Sequence, residues 1–112
     1  MRAVTKLAGA AGCGRARIVL DLGQIGTLEQ GDILVTNSTD PGWTPVFSLI
    51  GGLVLETGGM LSHGACLSRE YNLPAVTIAD AARRISDGAQ VTLDGNTGEL
   101  RVADEPGPAT TA

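Results

Sequence analysis

Aromatic side chains are nearly missing from this 112-residue chain: Trp43, Phe47 and Tyr71 are the only three. With 43% of residues apolar, its core has to be aliphatic, built from Val, Ile, Leu and Ala. Cysteine is almost as scarce, and Cys13 and Cys66, without a secretion signal, are expected to be free thiols. Excess positive charge is also lacking. Eight Lys and Arg face twelve Asp and Glu, a formal net charge of −4, and the basic residues are scattered. A phosphate-backbone binder needs a basic face, so no nucleic-acid partner is expected. No apolar run approaches the roughly 20 residues that span a bilayer, so no membrane partner is expected either. The opening MRAVTKLAGAAGCGRAR lacks the continuous hydrophobic region of a signal peptide, and the cytoplasm is the expected compartment. One histidine and no dense carboxylate cluster leave no metal site to expect.

Glycine, by contrast, is abundant. Sixteen glycines and five prolines imply many turns and short elements rather than a helical bundle. The length suits one domain, taken as residues 1–103, with a Pro/Gly-rich acidic tail over 104–112 expected to be disordered. ARIVLDL (16–22) and ILVT (33–36) read as strands, the second buried on both faces, with a turn-rich connection between them. DPGWTPVFSLI (40–50) reads as a helix, because Asp40–Pro41 suits an N-cap and first helical position. LVLET (53–57) and PAVTI (74–78) are further strands. Ser62 is a natural N-cap for a helix from about His63 to Asn72, which Pro74 prevents from continuing. DAARRISDG is a short helical or turn segment, and residues 89–102 form two strands around an Asp94–Gly98 hairpin turn. The fold class is α/β in one compact domain.

Residues 56–76, ETGGMLSHGACLSREYNLPAV, contain the single histidine, His63, four residues after a glycine pair. A strand, a Gly–Gly turn and a helix start bring main-chain N–H groups and a positive helix end to one point, which suits an anion, phosphate above all. An imidazole there, unperturbed near pH 6.5 as a general value, could attack a phosphoryl group through a ring nitrogen. On spacing alone the plainer reading stands ahead: a histidine that only caps or opens the helix.

The wider string decides otherwise. Gly58, Gly59, Ser62, His63, Ala65, Arg69, Glu70, Leu73, Pro74, Ala75 and Val76 fall in register on a known signature. GGMLSHGACLSREYNLPAV closely resembles the phosphohistidine motif in the mobile domain of phosphoenolpyruvate-utilising enzymes. GDILVTNSTDPGWTPVF and ISDGAQVTLDGNTGEL are similar to two further segments of that family, and GAAGCGRARIV to its opening strand. The resemblance runs from about Gly9 to Val102, and the Trp-containing segment and LSHGA look most like the phosphoenolpyruvate synthase and rifampin phosphotransferase branch.

That resemblance implies a swivelling β/β/α domain whose histidine carries a phosphoryl group. His63 would be the phosphoryl acceptor and Ser62 its catalytic neighbour. Gly58, Gly59 and Gly64 would bind phosphate, with Thr57, Arg69 and Glu70 as supporting candidates. The implied activity is that of the phosphohistidine-bearing component of a dikinase-type phosphotransferase, inactive alone. No cofactor is expected in this domain. ATP or phosphoenolpyruvate, with Mg2+, belongs to the implied partners, an ATP-grasp nucleotide-binding domain or subunit and an acceptor-binding domain. Leu55 stands where many relatives carry Thr, and Ser68 replaces the usual Ala before Arg69. Leu55 supports one alternative, a non-catalytic interaction module that retains the fold. A small-anion-binding protein without covalent chemistry is another. Arg69 and Glu70 also have an ordinary role as solvated helix charges. Cys66 is expected to be a buried structural thiol, and Trp43 a core or interface residue.

Overall fold

The computed structural model describes residues 5–9, 11–20, 22–37, 41–57, 63–85 and 87–102. Its strands are β1 (Thr5–Ala8), β2 (Ala11–Ile18), β3 (Ile33–Thr36), β4 (Gly52–Leu55), β5 (Ala75–Thr77), β6 (Gln90–Asp94) and β7 (Glu99–Val102). The helices are α1 (His63–Glu70) and α2 (Ala81–Arg84). Among the described residues the strands make one sheet in the order β1-β5-β4-β3-β2-β6-β7. β2, β3, β4 and β5 run parallel, while β1, β6 and β7 each pair antiparallel with their neighbours. This is the mixed α/β single domain expected.

Burial explains the two strand types. Every residue of β3, β4 and β5 is buried, as parallel strands covered on both faces require. β6 alternates exposed and buried positions, so one face of the β6–β7 ribbon meets solvent. Two aliphatic cores result, one on each side of the parallel strands. The first joins Leu34, Leu53, Leu55 and Ala75 to Trp43, Phe47 and Ala65, so it lies beneath α1. The second joins Ile33, Val35, Val54 and Val76 to Ala81 and Ile85 of α2 and to Val91, Leu93 and Leu100 of the ribbon. Trp43 is buried in the first core, as expected of a core residue.

Some expected boundaries move. The strand placed at 16–22 starts earlier, at Ala11, and ends at Ile18, because β2 needs its first half to pair with β6. The supposed turn region that follows contains a 3₁₀ helix, Leu22–Thr27. The helix expected over 40–50 is also 3₁₀, Pro41–Ser48. Pro45 lies inside it, and in an α-helix its ring would clash with the carbonyl four residues back, which disfavours that winding. The expected 94–98 hairpin turn is present. Asp94 Oδ1 accepts hydrogen bonds from the Asn96 and Thr97 amides at 2.8 and 3.2 Å, and Gly98 takes the positive φ of 79° that closes it. The tail assigned to 104–112 lies outside the described residues.

Close packing at the amino ends of β3 and β4 has one steric requirement. A Cβ at Gly51 would stand 2.8 Å from the Gly31 carbonyl oxygen, and one at Gly14 would collide with the same atom. Only glycine lets three backbone segments converge there.

Candidate functional site

β4 and β5 are parallel neighbours, and the chain leaves both at the same edge of the sheet. From β4 it passes Glu56 and Thr57 and reaches α1 at His63, and α1 then runs back over the first core towards Pro74. Ladder-like bonds carry order beyond the strand end. The amides of Glu56 and Thr57 donate to the carbonyls of Thr36 and Asn37 at 3.0 and 3.1 Å, and Ile78 N–H donates to Leu55 O at 2.8 Å. The backbone of His63 therefore opens a helix that begins at the carboxyl edge of parallel strands. An α-helix leaves its first-turn N–H groups without intrahelical acceptors, which makes this edge suited to an anion.

The far end of α1 fixes the helix in place. Asn72 takes the left-handed conformation at φ 58°, Leu73 N–H donates to Ser68 O at 2.8 Å, and Asn72 N–H donates to Arg69 O at 3.3 Å. These bonds form a Schellman cap, with Leu67 and Leu73 both packed on the first core. The helix therefore stops at Glu70 rather than Asn72, because Asn72 is the left-handed cap residue that ends it. Leu53 N–H then bonds Pro74 O at 2.9 Å, which returns the chain to the sheet.

Within α1, Gly64, Ala65 and Ser68 are buried and Cys66, Arg69 and Glu70 are exposed. Cys66 is thus not the buried thiol expected. It sits on the outer face of the helix, since Gly64, Ala65, Leu67 and Ser68 form the face that meets the core, and Cys13 is likewise exposed and free. Arg69 and Glu70 lie in the last turn, about 9 Å along the axis from His63 by helical rise, so the helix does not bring them to its own N-terminus. Gly64 stays in the first turn beside His63. Thr57 lies just past β4, and its hydroxyl donates to Asn37 O at 3.2 Å. Leu55 is wholly buried in the core shared with Ala65. Gly58, Gly59 and Ser62 lie outside the described residues.

Two features of this edge were not singled out from the sequence. Glu56 Oε2 accepts a hydrogen bond from the Ala82 amide at 2.9 Å, tying the exit of β4 to the start of α2. Asp80, just before α2, adopts φ 58° and makes no side-chain cap of its own. No local pattern could have paired Glu56 with a residue 26 positions away. Among the described residues no cluster of three or more His, Cys, Asp and Glu could hold a metal, and no helix is long and apolar enough to cross a membrane.

Comparison with known proteins agrees with this arrangement. Residues 28–98 match the family described as PEP-utilising enzyme, mobile domain. The chain belongs to that family. Its relatives include the rifampicin phosphotransferase of Streptomyces sviceus, 49% identical over 90 residues. The phosphoenolpyruvate synthase of Escherichia coli is 37% identical over 91 residues. These matches cover 80% and 78% of this chain but 10% and 12% of the relatives, so the chain spans about a tenth of their length. Among solved structures, the N-terminal domain of Enzyme 1-Nitrogen matches 69% of this chain and 33% of its own, with a TM-score of 0.56 and 28% identity. The holo-form of aconitase X from Thermococcus kodakaraensis, at 16% identity and a TM-score of 0.66, covers 88% of this chain and 94% of that one, and shares the fold alone.

Proposed function

We propose that this chain is a phosphoryl carrier. His63 attacks the phosphorus of a donor held by an ATP- or phosphoenolpyruvate-using partner. A bond forms from a ring nitrogen to phosphorus as the donor's P–O bond breaks, and the group then passes to an acceptor held elsewhere. The observation that carries this reading is the position of the chain's single histidine. It is the first residue of a helix that starts at the carboxyl edge of parallel strands, in a chain belonging to the mobile-domain family. First-turn amides at such a point favour negative charge in the phosphorylated state. Ser62, Gly58, Gly59 and Gly64 are the residues proposed to surround the phosphoryl group, with Thr57 in support. Arg69 and Glu70 take the lesser role of helix-surface charges.

The donor nucleotide or phosphoenolpyruvate with Mg2+, the ATP-grasp and acceptor-binding partners, a cytoplasmic setting and inactivity in isolation are parts of the same proposal. The relatives' names support a phosphotransferase or synthase context, and the small fraction of their length spanned here supports the need for partners. One observation favours the second reading, a non-catalytic module. Leu55 fills the position where many relatives carry Thr and buries it in core packing, and the nearby Thr57 hydroxyl is engaged with Asn37.

The test is transfer of label from ATP labelled at the β-phosphate, or from labelled phosphoenolpyruvate, in the presence of a donor enzyme. Acid-labile, base-stable label on the wild-type chain and none on His63→Ala supports the carrier. Equal partner binding by both proteins, with no label on either, supports the module.

A further inference from the structure

Two threonines end strands at the carboxyl edge of the sheet, inside an otherwise aliphatic core. Thr36, Leu55 and Thr77 are the last residues of β3, β4 and β5, and they stand in one register row, Thr36 beside Leu55 and Leu55 beside Thr77. All three are buried. Residues two apart on a strand share a face, and Leu34, Leu53 and Ala75, two positions earlier, all belong to the first core. Leu55 is a member of that core as well, so Thr36 and Thr77 flank it on the face that α1 covers.

Only one of the two threonines lies under the helix. α1 packs against β1 and β4, the strands on either side of β5, so it crosses β5. It starts with His63 at the carboxyl edge and runs back, which puts its first turn at the Thr77 end of β5. Thr36 is two strands away, about 10 Å, on the far side of Leu55. The other polar groups of this edge are committed elsewhere. Glu56 follows Leu55 and so serves the opposite face, where its carboxylate accepts from the Ala82 amide of α2. Asp80 precedes that same helix. The Thr57 hydroxyl gives its proton to Asn37 O.

Resting on the carrier reading of His63, we propose that Thr77 is its positioning residue. The Thr77 hydroxyl accepts a hydrogen bond from the N–H of the neutral imidazole and leaves the lone pair of the other ring nitrogen for phosphorus. A neutral imidazole has one N–H and one lone pair, so the group that holds the first decides which nitrogen attacks. The ring gains positive charge as the nitrogen–phosphorus bond forms, which makes the N–H a stronger donor and tightens this bond in the transition state. The hydroxyl absent at Leu55 is thereby supplied from the next strand, and Thr77 takes no part in the bond changes itself.

The test compares the full chain with Thr77→Val, Thr77→Ser and Thr36→Val. Valine keeps the branched shape of threonine and suits a strand, and circular dichroism checks the fold of each variant. The donor is phosphoramidate, which is small and needs no docking. Thr77→Val takes label about tenfold more slowly than the wild type, while Thr77→Ser and Thr36→Val stay within about twofold of it. Nitrogen NMR of the unphosphorylated chain, with the ring neutral, supplies a readout that packing alone would not move. The wild type shows one tautomer for its single histidine, and Thr77→Val shows two in exchange. Should Thr77→Val fail to fold, the wild-type ring spectrum and the Thr77→Ser rate still decide. A wild-type ring that already exchanges between tautomers overturns the positioning role and leaves the carrier reading standing. Equal labelling of wild type and Thr77→Val does the same, as does a Thr77→Ser or Thr36→Val variant as slow as Thr77→Val. A wild type that takes no label removes the carrier reading, and the positioning role with it.

Discussion

The carboxylate of Glu56 and the backbone amide of Ala82 meet at 2.9 Å, joining the end of β4 to the start of α2. Side-chain acceptors on first-turn amides are worth about 1 kcal/mol in helix-capping measurements. Glu56→Ala is therefore expected to lower unfolding free energy by about that amount, with Glu56→Gln nearer the wild type. Denaturant midpoints check it, and an unchanged Glu56→Ala midpoint would show that α2 does not depend on this bond.

Ser68 is a second specific case. Its side chain is fully buried, and among the described residues its Oγ has no hydrogen-bond partner. An unpaired buried hydroxyl costs about 1–3 kcal/mol, and alanine is also the better helix former. Ser68→Ala, the residue usual in relatives at this position, should stabilise the protein by about 1 kcal/mol. A lower melting temperature for that variant would mean that the hydroxyl has a partner after all.

The Schellman cap of α1 makes a conformational prediction. Asn72 holds φ 58°, which costs a β-branched residue about 1–2 kcal/mol. Asn72→Gly is expected to be neutral or slightly stabilising, and Asn72→Val to be destabilising by about that amount. Equal stability of the two variants would contradict the left-handed cap.

Leu55 links stability to chemistry. It is wholly buried in the first core. Leu55→Thr should cost about 2–4 kcal/mol through lost packing and a buried hydroxyl. If a threonine here orients the histidine, as the family resemblance implies, the same variant transfers phosphate faster at a temperature where both proteins are folded. Slower transfer by folded Leu55→Thr would show that leucine is the better residue at this position.

Both thiols are exposed and free, Cys13 on β2 and Cys66 on α1. Two equivalents should react with an aromatic disulfide reagent in native buffer, without denaturant. A single reactive thiol would restore the buried placement first expected for Cys66.

Much of this architecture is legible in the sequence because local signals and tertiary contacts agree. ILVT is an unbroken apolar run, and it becomes a strand buried on both faces. Ser62 to Pro74 carries a helix start and stop, and α1 opens at His63. The Asp94–Gly98 turn has its own side-chain and glycine chemistry. What the sequence hides depends on distant partners. The first half of β2, AGCGR, contains two glycines and little apolar character, and it is a strand because β6 lies beside it. The 40–50 segment has helical start signals, yet it winds as 3₁₀. Cys66 reads as a core thiol from its residue type alone, while only the packing of Ala65, Leu67 and Ser68 shows which side of α1 meets the sheet. The role of Glu56 is invisible until β4 and α2 are brought to the same edge.

The most direct test of the carrier account is the phosphorus NMR spectrum of the chain after transfer from a donor enzyme, recorded at neutral pH. Since His63 is the only histidine, a phosphohistidine resonance on this chain identifies its site without further mapping. The account predicts that resonance in the wild type, its loss on mild acidification, and its absence from His63→Ala. A wild-type chain that binds its cognate donor enzyme yet shows no such resonance would contradict it.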